Sequence, residues 1–202
     1  MGYTRFDRAI AWLRFRAALP HIRPGTRVCD IGCGLDARFL GSVGSRAEFG
    51  VGLDYQVSAG PPGLAIIRAD ITRGLPLKSS QFDHALMLAV LEHLTEPGAV
   101  LREAFRVLVP DGSLILTWPQ PEVDRILHWF RGWGIIAAEM ESEKHQPRAP
   151  LSALQKMLGE IGFERFFYRR FELGLNNLLV CYKGRRECRA ETRGCVVPKS
   201  IA

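Results

Sequence analysis

With 202 residues, 47% hydrophobic and 24% charged, the chain has the length and balance of one ordinary globular domain, and no apolar run approaches the ~20 residues of a membrane span. Its net charge of +6 is uneven: residues 1–27 carry +5 and residues 183–202 carry +4, which leaves −3 between them. An acidic body with basic ends argues against specific nucleic-acid binding, which sets Lys and Arg along one working face with aromatics between them.

Residues 3–20 place Phe6, Ile10, Leu13 and Ala17 at helical spacing, with Arg5, Arg8, Arg14 and Arg16 mostly off that stripe. This predicts an amphipathic helix, ended by Pro20 and Pro24-Gly25, so residues 1–23 read as an N-terminal cap. Its basic charge is either solvated or meets an anionic acceptor or a membrane surface, so peripheral membrane contact stays open. The first residues lead into charge rather than into an apolar signal segment, and a cytoplasmic protein is expected.

Short apolar runs then alternate with helical patterns. Strands are predicted at Arg27–Gly32, Glu48–Asp54, Leu64–Asp70 and Phe82–Val90, with a short helix at Arg38–Val43. Such alternation signals a parallel sheet flanked by helices. Thr95 is placed to cap a helix carrying Val100, Leu101, Ala104, Phe105 and Leu108 on its inner face. Pro110-Asp111-Gly112 turns the chain into a strand at Ser113–Trp118.

Beyond Pro119 the pattern becomes aromatic, with Ile126, Trp129, Phe130, Trp133 and Ile135, and residues 120–150 read as an insert covering one side of a site. An aromatic stripe at helical spacing serves packing as readily as a pocket. A polar loop bearing His145 leads to Ser152-Ala153-Leu154-Gln155, which has the form of a capping box and opens a helix closed by Gly162. Strands at Glu164–Leu173 and Asn176–Tyr182 are separated by Gly174-Leu175 alone, too little for a parallel crossover, so they form an antiparallel hairpin. Residues 184–202 read as a basic, disordered tail.

Five cysteines, Cys29, Cys33, Cys181, Cys188 and Cys195, are an odd number without a Cys-x-x-Cys knuckle, which favours a reducing compartment and no metal site. The pair Asp30-Ile31-Gly32-Cys33-Gly34 and Gly52-Leu53-Asp54 is the strongest functional signal. Glycines at the end of a strand let the backbone turn sharply and approach a ligand, and an acid about 20 positions on suits ribose hydroxyls. Gly32-x-Gly34-x-x-Ala37 with Asp54 also fits a dinucleotide fingerprint. The closing hairpin, and the lack of a Tyr-x-x-x-Lys or similar catalytic pair, count against an NAD(P)-dependent oxidoreductase.

From about residue 24 to 183 the series Val28 to Gly34, Gly52-Leu53-Asp54, Arg68-Ala69-Asp70-Ile71, Ser80-Gln81-Phe82-Asp83, Val90-Leu91-Glu92-His93-Leu94 and Leu101 to Gly112 resembles the class I S-adenosylmethionine-dependent methyltransferases. It is similar to their small type 11 branch. The resemblance implies a doubly wound, mostly parallel seven-stranded α/β sheet ending in an antiparallel hairpin, with residues 24–183 as the catalytic domain. It implies S-adenosyl-L-methionine as cofactor and methyl transfer to a small-molecule acceptor, with O-, N- and C-methylation all open. By position, Asp30, Gly32, Cys33 and Gly34 belong to the methionine end, Asp54 and Tyr55 to the ribose, Asp70 and Ile71 to the adenine, and Ala89 to the floor.

His93 is the candidate general base, with Glu92 beside it to orient cofactor or acceptor; a packing role for both is the alternative. Asp36 departs from the pattern, standing where many relatives have a third glycine, and is expected to cap the helix that follows. A non-catalytic relative that binds S-adenosylmethionine as a partner or regulatory module is the second functional reading. The acceptor and the oligomeric state are not named by the sequence.

Overall fold

In the computed structural model, the residues described are 5–58, 60, 63–120 and 150–185, with the side chains of 5–10 and 45 left aside. Helix α1 (Arg5–Ala18) is followed by β1 (Thr26–Ile31), α2 (Arg38–Val43), β2 (Ala47–Asp54), β3 (Ala65–Arg68), β4 (Phe82–Leu88), α3 (Pro97–Val107), β5 (Leu108–Pro119), α4 (Leu151–Ile161), β6 (Phe163–Phe171) and β7 (Asn176–Lys183). The seven strands form one sheet in the order β3-β2-β1-β4-β5-β7-β6. Strands β1 to β5 run parallel and β7 is antiparallel to both β5 and β6.

Strand β1 pairs with β2 on one side and β4 on the other. The connections therefore leave β1 in opposite directions, and the crevice above its carboxyl end is where ligands bind in such sheets. The interior strands are apolar on both faces because helices cover both. One core gathers Cys29, Ile31, Met87, Leu101, Leu114 and Leu116 under α3 and α4, and the other gathers Val28, Phe39, Leu40, Leu86, Ile115 and Leu178 under α1 and α2.

Local chemistry sets several boundaries differently from the sequence reading. Helix α3 starts at Pro97 with Glu96 in the cap position, and neither Glu96 nor Thr95 supplies a side-chain cap. Helix α4 starts one residue before Ser152, behind Pro150, so the capping box does not form and the backbone carbonyl of Pro150 accepts from Ala153 and Leu154. Gly162, at φ 120°, does end that helix. The hairpin turn is Glu172–Leu175 rather than two residues, since Glu172 and Leu173 both adopt positive φ.

On α1 the buried side is set by Ala17 and Ala18, with Phe15 edge-on to Phe39 at 5.1 Å, whereas Leu13 is 37% exposed. The helix is tied down at its C-terminal end: Arg169 donates to the Ala17 carbonyl, and Arg23 N–H donates to His84 Nε2. The aromatic insert around Ile126, Trp129, Phe130, Trp133 and Ile135, His145, Cys188, Cys195 and the tail lie outside the described residues. Cys29, Cys33 and Cys181 are free thiols, and no cluster of metal-ligating side chains occurs among the described residues.

Candidate active site at the carboxyl end of β1

The chain leaves β1 through Gly32 at φ 80° and Gly34 at φ 72°, backbone that side chains other than glycine resist. Space adds a second constraint at Gly32, because a Cβ there would stand 2.5 Å from Val90 Cγ2. Gly52 on β2 is required for a related reason: its Cβ would lie 2.8 Å from Cys33 Sγ. The loop is tied to the neighbouring strand, with Gly32 and Cys33 N–H donating to the Leu53 carbonyl of β2 at 2.8 and 3.0 Å. Asp54 fastens it to β2, accepting from Gly34 N–H at 2.9 Å and from Gln56 N–H at 3.1 Å.

A cavity of about 90 Å³ opens at this point, lined by Asp30, Gly32, Cys33 and Gly34 below, Leu88 from β4, Asp36 and Arg38 at the side, and Ala11 and Phe15 of α1 above. Asp30 is 2% exposed, and among the described residues no hydrogen bond reaches its carboxyl group. Burial first, and then the neighbouring charge of Asp54, push it up to about 7. Burial, then Asp30, then Asp54 push the Cys33 thiol up to about 12. An electrostatically hungry carboxyl facing a cavity is a place for a cation that donates hydrogen bonds.

The other predicted residues fall around this centre. Tyr55 is 64% exposed at the end of β2, where Arg68 Nε donates to its carbonyl. Asp70 ends the β3 run and accepts from Thr72 N–H and Oγ1 at 3.0 and 2.6 Å, with Arg73 at 3.3 Å, which together hold its carboxyl below the ordinary range. Ile71 begins the short 3-10 turn that follows and is half-buried. Ala89, at φ 59°, carries the chain off β4 and donates its N–H to the Thr117 carbonyl. The next turn, Leu91–His93, buries Glu92 and exposes His93. Asp36 caps nothing; it pairs with Arg38 at 3.3 Å and accepts from Ser58 Oγ, so its charge is offset where it meets the cavity.

Three polar groups went unnoticed in the sequence. Thr117 Oγ1, Asn176 Oδ1 and Glu172 Oε1 are buried and find no hydrogen-bond partner among the described residues. Thr117 pairs with Leu88 on one side and Leu178 on the other, and Asn176 sits opposite Pro119 and donates to Glu172. The alternation along β5 and β7 sets Thr117 and Asn176 on the same face as Leu88, beside the cavity wall. Only pairing across the sheet brings them together, and no local spacing announces it. Phe15 was hidden because the helical stripe was drawn through Leu13.

Comparison with known proteins decides the cofactor class. A family model described as a methyltransferase domain matches residues 29–116. The chain is similar to the class I S-adenosylmethionine-dependent methyltransferases. It is 28% identical over 207 residues to the ubiquinone/menaquinone biosynthesis C-methyltransferase UbiE of Xylella fastidiosa (strain M23), covering 86% of this chain and 79% of that protein. The UbiE of Nitrosospira multiformis is 27% identical over 192 residues, covering 82% and 77%. Among solved structures, an S-adenosylmethionine-dependent methyltransferase from Mesorhizobium loti superposes with a TM-score of 0.66 at 21% identity, covering 88% of this chain and 99% of that one. A complex of the Haloferax volcanii Trm112 activator with a putative methyltransferase gives 0.70 at 15% identity, covering 90% and 94%. The cofactor of this methyltransferase is S-adenosyl-L-methionine. The donor set suits it: a buried carboxyl that no hydrogen bond from the described residues reaches, a strand-end glycine, Gly32, with no room for a side chain, and a second carboxylate at the end of β2.

Proposed function

We propose that the enzyme methylates a small, hydroxyl-bearing, largely apolar acceptor at the carboxyl edge of its sheet, with the cofactor held between Asp30 and Asp54. The observation that carries this is the cavity at the carboxyl end of β1, where Asp30 is buried and no hydrogen bond from the described residues reaches its carboxyl, with Asp54 bonded to Gly34 of the lining. When bound, S-adenosylmethionine supplies an electrophilic methyl group on a sulfonium.

Asp30 accepts from the ammonium of the methionine portion, and that positive charge returns the carboxyl to its ionised form. Gly32 and Gly34 let the backbone pass against the ligand. Cys33 packs beneath the loop as an apolar group, its thiol protonated at neutral pH. Asp54 retains lone pairs beyond the two backbone donors it already accepts, enough for ribose hydroxyls. Asp70 and Ile71, at the end of the outermost strand, serve the adenine, and Tyr55 flanks it. Ala89 forms the floor by its backbone.

The cavity is smaller than the roughly 300–1,000 Å³ of small-molecule sites. Helix α1, its roof, shifts outward to admit the ligand, which is the sense in which residues 1–23 form a cap on the domain of residues 24–183. Thr117, Asn176 and Glu172 meet the polar group of the acceptor, since each has hydrogen-bonding capacity unused. His93, exposed in the turn after β4, removes a proton where the acceptor is a hydroxyl or an acidic carbon, and Glu92 orients it. Carbon methylation is the favoured reaction, on the strength of the C-methyltransferases to which the chain is similar. Asp54→Ala checks the assignment: calorimetric titration with S-adenosylhomocysteine is expected to lose about ten- to a hundredfold in affinity in a variant that still folds, its melting temperature lowered by only a few degrees as Gly34 and Gln56 N–H lose their acceptor. Wild-type affinity in the folded variant would remove Asp54 from the site.

A further inference from the structure

Helix α1 has a second face, beside the one that roofs the cavity. Trp12 is 52% exposed, Leu13 is 37% exposed, and Arg16 is exposed with its guanidinium 4.8 Å from the Trp12 ring centre. Trp12 and Arg16, four positions apart, share one side of α1, with Leu13 at its border. Leu35, 44% exposed, and Arg38 both line the cavity. Large apolar side chains in water beside arginine need an explanation that scattered surface residues do not.

We propose that this face of α1 docks on an anionic lipid surface, seating Trp12, Leu13 and Leu35 at the level of the headgroups. Charge complementarity selects that occupant: residues 1–27 carry +5 while the body of the chain is acidic, so attraction is confined to this end and to the tail. A basic helix face with an indole beside arginine is the arrangement that lies in a membrane interface. No helix among the described residues is long and apolar enough to cross a membrane, so the contact is peripheral. Because Ala11 and Phe15 of the same helix roof the cavity, docking brings the mouth of the site to the lipid. The proposal stands independently of which cofactor or acceptor the site takes.

The test uses the full chain and no cofactor: co-sedimentation with vesicles of equal parts phosphatidylglycerol and phosphatidylcholine, beside vesicles of phosphatidylcholine alone. Binding to the anionic vesicles only is expected at moderate salt. Each Arg near such a surface strengthens binding about fivefold, so Arg16→Glu is expected to weaken it by roughly 25-fold, and Trp12→Ser by roughly tenfold. Two exposed positions off this face serve as controls, Phe49 at 45% exposure and Arg165 on the far edge strand. Phe49→Ser and Arg165→Glu are expected to bind as the parent does, with melting temperatures checking that every variant is folded. Absence of binding to anionic vesicles overturns the proposal, as does an Arg165→Glu loss equal to that of Arg16→Glu, which would mean diffuse charge alone. Binding of a random-sequence oligonucleotide in place of vesicles, lost in Arg16→Glu, would likewise reassign the face.

Discussion

The carboxyl edge of the sheet is built in two ways. On the β1–β2 side the proposed cofactor site is made of loops: glycines at positive φ, an acid at each strand end, and backbone hydrogen bonds from the loop to β2. On the β5–β7 side the proposed acceptor site is made of strands, with Thr117, Asn176 and Asn177 sunk in a dense antiparallel ladder. The first side is constrained by backbone conformation and the second by packing across the sheet.

The sharpest way to break the cofactor side is Gly32→Val. It places a branched side chain at φ 80°, where a Cβ already meets Val90, and is expected to cost about 3 kcal/mol or more in unfolding experiments while abolishing S-adenosylhomocysteine binding. Normal affinity would mean that the loop has another path.

Asp30→Asn separates function from stability. In the folded protein Asp30 titrates at about 7, against an ordinary 3.8. The folded state therefore binds more protons than the unfolded one between those values, and apo stability falls as pH rises from about 4 to about 7 and stays lowered above it. Asn removes that penalty, so the variant is expected to melt higher than the parent at pH 8, with little difference near pH 4, and to bind S-adenosylhomocysteine far more weakly. Binding to the parent is expected to strengthen as pH passes about 7. A variant no more stable than the parent at pH 8 would show that the carboxyl is satisfied by some other group.

His93→Ala addresses the boundary between the two sides. Turnover on an identified acceptor is expected to fall about a hundredfold with cofactor affinity intact if the imidazole takes the proton. Unchanged turnover leaves it a packing role. The smallest expected effect belongs to the acceptor side: Thr117→Val removes a buried hydroxyl that makes no hydrogen bond among the described residues, and is expected to raise stability by about 1 kcal/mol while raising KM for the acceptor. A loss of stability would show that the hydroxyl is already satisfied.

The same contrast governs what the sequence disclosed. The parallel sheet and its closing hairpin were legible from alternating apolar runs and from a connection too short for a crossover. That Asp30, Gly32, Gly34 and Asp54 gather at the carboxyl end of β1 was legible because a loop that turns at glycine leaves its pattern in consecutive residues. The capping roles expected of Thr95, Ser152 and Asp36 failed because neighbouring Pro97 and Pro150 fixed the helix starts and because Arg38 offered Asp36 a charge partner. Thr117 and Asn176 meet only through pairing of distant strands, so no window of sequence contains both.

The most direct measurement is calorimetric titration of the purified protein with S-adenosylmethionine, S-adenosylhomocysteine and NADH in parallel, repeated with Asp30→Asn. The account predicts that both adenosyl ligands bind one to one, that NADH does not, and that Asp30→Asn loses the binding while remaining folded. Binding of NADH, or adenosyl-ligand affinity undiminished in Asp30→Asn, would contradict it.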